Sequence, residues 1–522
     1  MSLIAKVPLL RPVLASRLAT HVILCAVGAA ALLCLWTAWC EFPIHAWNEA
    51  RLAPAFVLRQ GINPYPAIGG GPLLTWIYGP IGILINLPAT FAVSAAGALR
   101  LGFLINAAVL ILPIALILFD RNGLCSRDRE LRWLGLSLAI LFVPHLEFVF
   151  TVVDHAAIFC GLMSGWYLAR KSNPGQGDLM IAALFCGAAI WSKQTTVAIV
   201  PAQLVYLFLA GNHVKSVRYC LYVASINLLI LGVSTWCFGW NNLWLNLIAI
   251  PKALPWADSI AGKLSGRIWW LVCWLGIPGV GLTILRSSKL WPPPETSHGR
   301  FFQLSSLVFV MLLPAGVAAF LMIGGDTNSF HSWSYLMPAA TLSWLAAEKE
   351  TSRRNFRIFA VSLLAIILNG TVLTRVPAGP AIHHLEIAKG IMEAFPHAVW
   401  FPRNPIITYY SDHTIWHCED GIETRFLAGY GIRESDFRRH LPIHLKAVVY
   451  PSIIESPFSL SLLPEFNDKH KIPHWNIYVR TSEPTPQPKK QSAPVGPIDS
   501  SDREGTPGQA LSKPQPGIQP ST

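Results

Sequence analysis

Long apolar runs separated by short polar loops fill the first three quarters of the chain. They lie near 20–40, 98–119, 133–153, 155–170, 178–193, 195–211, 218–238, 267–286, 303–323, 333–348 and 356–375. Runs approaching 20 residues with few charges are what a bilayer selects. The pattern therefore predicts an α-helical polytopic membrane protein with about eleven transmembrane helices. The stretch 73–95 is apolar too, but Pro80 and Pro88 interrupt it. Arg121, Arg127, Arg129 and Arg132 cluster in the next long loop. A full span at 73–95 would put these arginines on the non-cytoplasmic side, against the positive-inside bias. We read 73–95 as re-entrant or interfacial; the alternative is two full spans between Tyr65 and Arg121.

The pattern changes after about Val376. Charge rises, and β-like runs appear at Ala398–Phe401, Ile406–Tyr409, Ala447–Tyr450 and Asn476–Val479, with a helical patch over Leu385–Phe395. This predicts a small mixed α/β domain. From Ser482 onward Pro, Ser, Gly and Gln replace the aliphatics, which predicts disorder. The expected organisation is a transmembrane domain over 1–375, an external C-terminal α/β domain over 376–481, and a disordered tail over 482–522.

Composition narrows the class. The chain has 522 residues, 53% hydrophobic and 13% charged, about half the charge of a soluble domain. The net charge of +12 comes from short loops between apolar runs. It reads as an orientation signal and not as a nucleic-acid surface. Ten cysteines are scattered, mostly within apolar runs, with no CxxC pair. That excludes a disulfide scaffold. Lys6, Arg11 and Arg17 precede the first run, which is long enough to stay in the membrane instead of being cleaved.

The candidate chemistry sits where polar residues interrupt this pattern. Trp47–Pro80 reads WNEARLAPAFVLRQGINPYPAIGGGPLLTWIYGP. Glu49 leads its amphipathic segment, and Gly61-Ile62-Asn63-Pro64-Tyr65 ends it. Asp154-His155 stands between two apolar runs, with Glu147 earlier in the same span. Trp191-Ser192-Lys193-Gln194-Thr195-Thr196 breaks another, and Gly324–His331 (GGDTNSFH) follows a third. Charge at membrane depth is costly and marks function. Together these elements resemble the GT-C superfamily, the polytopic glycosyltransferases that use polyprenyl-phosphate sugars, of protein-mannosyltransferase or aminoarabinose-transferase type.

The resemblance implies an acidic base just after the first span. The usual Asp-Glu pair stands here as Asn48-Glu49, so Glu49 is the candidate base, with Glu41 the runner-up. A local partner in Arg51 is the plain alternative. Asp154 is the second catalytic candidate, or a helix cap. Lys193 and Gln194 are implied contacts of the donor phosphate or of the nearby acid network, against a snorkelling lysine. Asn63 and Tyr65 are carried as substrate contacts. Asp326, Asn328 and His331 are candidates in a Gly-rich, phosphate-cradling loop, against a polar turn. Lys252, Lys263 and Arg267 are phosphate candidates within the aromatic, basic 239–266 loop, against an interfacial helix.

No metal or cofactor is expected; a divalent cation held by Asp154, His155 and Glu49 is the alternative. His413, His417, Cys418, Glu419 and Asp420 read as a cluster without metal spacing. The expected partners are a polyprenyl-phosphate sugar, a lipid, glycan or protein acceptor, and membrane lipids, at a bacterial inner membrane. A transporter or flippase for a lipid-linked sugar is the competing function. Against it stands the absence of repeated halves in the sequence.

Overall fold

The computed structural model describes residues 17–120, 129–143, 145–151, 153–272, 295–330, 351–375, 381–454 and 457–480, with Leu336, Thr341, Pro377 and Gly379 as isolated positions. Most of the predicted spans 267–286 and 333–348, and the 482–522 tail, lie outside these residues.

The chain is mostly helical, with one small sheet near its end. The principal helices are α1 (Arg17–Glu41), α2 (Ala46–Arg59), α3 (Pro80–Asn86), α4 (Ala95–Phe119), α5 (Arg129–Phe142), α6 (His145–Val149), α7 (Asp154–Ala169), α8 (Gln176–Ile190), α9 (Ile199–Leu209), α10 (His213–Phe238), α11 (Ser297–Leu321), α12 (Thr351–Leu368), α13 (His383–Ala394), α14 (Pro405–Asp412) and α15 (Glu419–Leu427).

Among the described residues, four helices are long and apolar enough to cross a membrane: His21–Ile44, Ala95–Phe119, His213–Phe238 and Ser297–Leu321. Apolar helices of 10–17 residues accompany them. At 1.5 Å per residue these reach only about 15–25 Å, short of the ~30 Å hydrocarbon core. Pro80–Phe91 is one of them, in keeping with a segment that enters without crossing. Several predicted spans are thus helices shorter than the hydrocarbon core, meeting at breaks. Such breaks are tolerated where protein buries the freed backbone.

The break between α6 and α7 shows how. Asn106, a lone amide in apolar α4, donates to the carbonyls of Glu147, Phe148 and Phe150 at 3.0, 3.2 and 3.2 Å. Asn48 donates to Val149 O at 2.8 Å and accepts from Thr151 N at 2.7 Å. Its amide also donates to Phe42 O at 2.7 Å. An aspartate at 48 could not donate to these carbonyls.

The C-terminal region forms a four-stranded sheet of order β1-β2-β4-β3, from β1 (Val399–Trp400), β2 (Ala447–Pro451), β3 (Asp468–Ile472) and β4 (Trp475–Val479). β1 pairs parallel with β2, and β4 pairs antiparallel with β2 and β3. Two sequence expectations are corrected here. Ile406–Tyr409 is not a strand but lies in α14, because Pro405 suits a first helical position and a distant carboxylate caps the turn. β3 was missed because it is a polar edge strand, largely exposed and carrying Lys469 and Lys471. Edge strands are kept charged for that reason.

This region is not an appended module. Residues through Arg480 cluster as one compact unit. The stretch before α13 and the segments after it grip the first loop. Ala381 N donates to Cys40 O at 3.2 Å, and Cys418 N to Leu73 O at 2.8 Å. Arg425 donates to Pro66 O at 2.6 Å and Asn246 Oδ1 at 2.9 Å. Phe56 packs edge-on against Tyr409 with ring centroids 4.7 Å apart.

Candidate active site

α7 begins at the break described above, so Asp154 occupies its first turn. A carboxylate there is favoured by the helix dipole. α8 ends at Ile190, and Lys193 precedes the short 3-10 turn Gln194–Ala198. Lys193 N still bonds back to Ala189 O at 3.0 Å, which fixes where the side chain leaves the backbone. The close approach of these pieces depends on Gly79. A Cβ at that position would stand 1.8 Å from Trp191 O, where Ile81 N donates at 3.2 Å.

The result is an ion pair between Lys193 Nζ and Asp154 Oδ1, with side chains 12% and 5% exposed. Both line a narrow cleft with about 340 Å³ of empty volume, shared with Thr195, Thr196, Gly316 and Ser329. Leu312, Ala315, Ala157 and Ile158 form its apolar side. Gly316 lets the 327–330 turn lie on α11, because a Cβ would come within 2.6 Å of Ser329 O. The paired carboxylate and ammonium thus lie together on one lining. Thr196 Oγ1 on this lining donates to Lys193 O at 2.7 Å.

The neighbouring residue faces elsewhere. His155 contacts Asn106 Oδ1 through Nδ1 and Glu147 Oε2 through Nε2, the latter at 3.0 Å. His155, Asn106 and Thr151 line a second, smaller cleft. Asp154 and His155 therefore serve two sides of α7. Glu147 is a partner of His155.

Glu49, the first candidate base, lies apart from both clefts. It is fully buried and lines neither cleft. Its Oε1 accepts from Asn404 Nδ2 at 2.8 Å, and its Oε2 from Ile406 N at 3.1 Å and Ile407 N at 3.2 Å. These are the orphan amides of the first turn of α14. Glu49 caps that helix from 355 residues away in sequence. Burial raises its pKa to about 7, with the three donors opposing the rise. The runner-up Glu41 pairs with His145 at 3.1 Å.

Most other candidates have partners within the protein. Tyr65 is fully buried and donates to Tyr78 O at 2.8 Å. Asn63 accepts from Tyr65 N at 2.9 Å and donates to Phe238 O at 2.8 Å. Gln194 braces the carbonyls of Ile77 and Leu247 at 2.9 and 3.2 Å. Arg267 and Asp326 form a two-pronged pair at 3.0 and 3.2 Å, so the Arg267 fork is turned toward a carboxylate. Lys263 donates to Met322 O at 2.7 Å. Lys252 is exposed and lines neither cleft. Asn328 lies in the short helix Thr327–Phe330, its side chain outside the description, and His331 lies outside the described residues.

In the tail, His417 Nδ1 accepts from Leu73 N at 2.8 Å, and burial pushes its pKa down to about 3. Glu419 accepts from Tyr450 and Ser459, and Asp420 pairs with Arg403. Among the described residues no three His, Cys, Asp or Glu groups are placed to hold a metal. Asp154, His155 and Glu49 point to three separate places.

Sequence reasoning missed Asn106 and Gly316. Asn106 could have been found as the one amide within the apolar 98–119 run. Gly316 carries no comparable signal, since only the approach of the 327–330 turn explains it.

No protein-family model and no curated protein matches the chain. Among solved structures, the chain is similar to ArnT from Cupriavidus metallidurans bound to undecaprenyl phosphate, an aminoarabinose transferase of the GT-C class. The match has 11% identity and a TM-score of 0.48, and covers 90% of this chain and 99% of that one. The apo state of the same protein gives 10% identity and a TM-score of 0.48, covering 87% and 97%. The oligosaccharyltransferase of Archaeoglobus fulgidus, in complex with Zn and sulfate, is a third. It has 13% identity and a TM-score of 0.43, covering 82% of this chain and 68% of that one. At this distance the function has to be read from the chain's own residues.

Proposed function

We propose that this chain is an integral-membrane glycosyltransferase that moves a sugar from a polyprenyl-phosphate donor to a hydroxyl acceptor, with the Asp154–Lys193 cleft as its reaction site. The observation that carries this reading is the ion pair lining a cleft where helices shorter than the hydrocarbon core meet. An isolated charge at membrane depth is costly, and the pair satisfies it before substrate arrives.

The donor phosphate competes with Asp154 for the Lys193 ammonium. Release of Asp154 makes a free carboxylate available to take the proton of the acceptor hydroxyl. The acceptor oxygen then bonds to the anomeric carbon as the bond from that carbon to the phosphate oxygen breaks. The electron pair stays on the departing polyprenyl phosphate, where Lys193 offsets the growing charge. The apolar flank formed by Leu312, Ala315 and Ile158 suits the start of the prenyl chain. Under the positive-inside bias the cleft and the C-terminal sheet lie on the non-cytoplasmic side, of a bacterial inner membrane.

The test is transfer by the full chain in nanodiscs, with polyprenyl-phosphate sugars as donors. Asp154→Asn and Lys193→Met should both abolish or cripple product formation while leaving the protein folded. Near-normal transfer by both variants would refute the site.

A further inference from the structure

A second basic and aromatic feature lies at the entry to α4, away from the cleft. Phe91 and Val93 project there with 69% and 96% of their surface exposed. Ser94 caps the helix, accepting from Gly97 N at 3.1 Å. The exposed pair therefore forms the lip of a membrane-length, apolar helix.

Two arginines flank this lip. Arg59, the last residue of α2, stands 4.5 Å over the Phe91 ring and donates to Thr90 O. Arg100 lies in the second turn of α4, 5.9 Å over the Trp39 ring of α1. Its Nε is buried without a hydrogen-bond partner. Among the described residues no carboxylate forms an ion pair with either. Glu41 pairs with His145, and Glu49 accepts from α14. From Ala95 to Arg100 the helix descends about 7.5 Å, a depth from which an arginine reaches the headgroup layer.

We propose that Arg59, Phe91, Val93 and Arg100 form a docking face for an anionic phospholipid. The guanidinium groups bind the headgroup phosphate, and Phe91 and Val93 enter the acyl boundary. Charge complementarity selects this occupant. A planar guanidinium fork matches phosphate oxygens, and anionic lipid attracts each basic residue near the surface. If the arginines served only as cation–π anchors for Phe91 and Trp39, the face would not distinguish lipid charge.

The test uses the full chain in detergent, with native mass spectrometry and thermal unfolding during titration by phosphatidylglycerol or phosphatidylcholine. The wild type should retain phosphatidylglycerol in preference to phosphatidylcholine by about fivefold for each arginine. The double variant Arg59→Gln, Arg100→Gln should bring that ratio close to one. Phe91→Ala should weaken retention of both lipids alike. An unchanged ratio in the double variant, or no preference in the wild type, would overturn the proposal. Where the double variant fails to fold, salt decides with wild-type protein alone. The preference should fall as ionic strength rises, and a salt-insensitive preference overturns the proposal equally.

Discussion

Glu49 and Asp154 are both almost completely buried carboxylates, and their surroundings give them opposite meanings. Glu49 accepts from one amide side chain and two backbone N–H groups of α14. Those donors are fixed in a helix turn, and no substrate replaces them without unfolding it. Asp154 faces an ammonium on a flexible stem at the edge of a cleft. That partner can be drawn away by a phosphate. A buried acid held by rigid donors serves as a fastener, whereas under our proposal one held by a mobile cation serves as a switchable base. Burial alone does not separate the two.

The largest effect should come from Asp154→Asn. Losing a general base costs roughly 10²–10⁴ in rate, read as single-turnover transfer in nanodiscs with saturating donor. Wild-type turnover by this variant would erase the contrast between the acids.

Lys193→Met should raise the donor concentration needed for half-maximal transfer by about 10–100-fold, since hydrogen bonds to charged groups contribute about 1.5–3 kcal/mol. Acceptor dependence should change little. A variant with unaltered donor dependence would make Lys193 a counter-ion only.

Glu49→Leu should destabilise the protein by several kcal/mol, because each buried donor left unsatisfied costs about 1–3 kcal/mol. Thermal unfolding in detergent reads this. Glu49→Gln should cost under about 1 kcal/mol and keep transfer. Its remaining oxygen serves the two N–H groups, and Asn404, whose Oδ1 is buried without a partner, turns to accept the new amide. Loss of transfer in a folded Glu49→Gln protein would return the base to Glu49.

The smallest effect is pH dependence. Burial raises the Glu49 pKa from 4.5 to about 7. The folded state therefore holds more protons than the unfolded state between those values. Its contribution is fully present below pH 4.5 and is lost as pH rises through 7. A tenfold change in proton affinity corresponds to about 1.4 kcal/mol, so at most about 3 kcal/mol is at stake. Unfolding temperatures of wild type and Glu49→Gln, compared from pH 5 to 8, should converge at the acid end if Glu49 is responsible. Parallel curves would show that other groups set the slope.

The sites where polar residues break the apolar pattern were legible as sites of consequence, but their roles were not. Asp154 and Lys193, from two of these interruptions, meet at one cleft, whereas His155 lines another. The 41–72 loop, with its Gly-Ile-Asn-Pro-Tyr segment, turned out to pack against helices of the C-terminal region. Tyr65 and Asn63 hold that loop from within. Arg267 and Asp326, read as two independent ligands, satisfy each other. The Ile406–Tyr409 run was misread because its helix depends on a cap supplied by Glu49, which no local propensity reports.

The sequence by itself determined the solvent for which the chain is built. Apolar runs near bilayer length and charge confined to short loops follow from transfer free energy, which depends on composition and spacing alone. It also determined which polar residues stand in apolar surroundings. Only the tertiary structure decided what each one faces. A carboxylate becomes a cap or a cleft acid according to which donors lie within hydrogen-bond reach. For Glu49 those donors are 355 residues away in sequence, and for Asp154 the partner is 39 away.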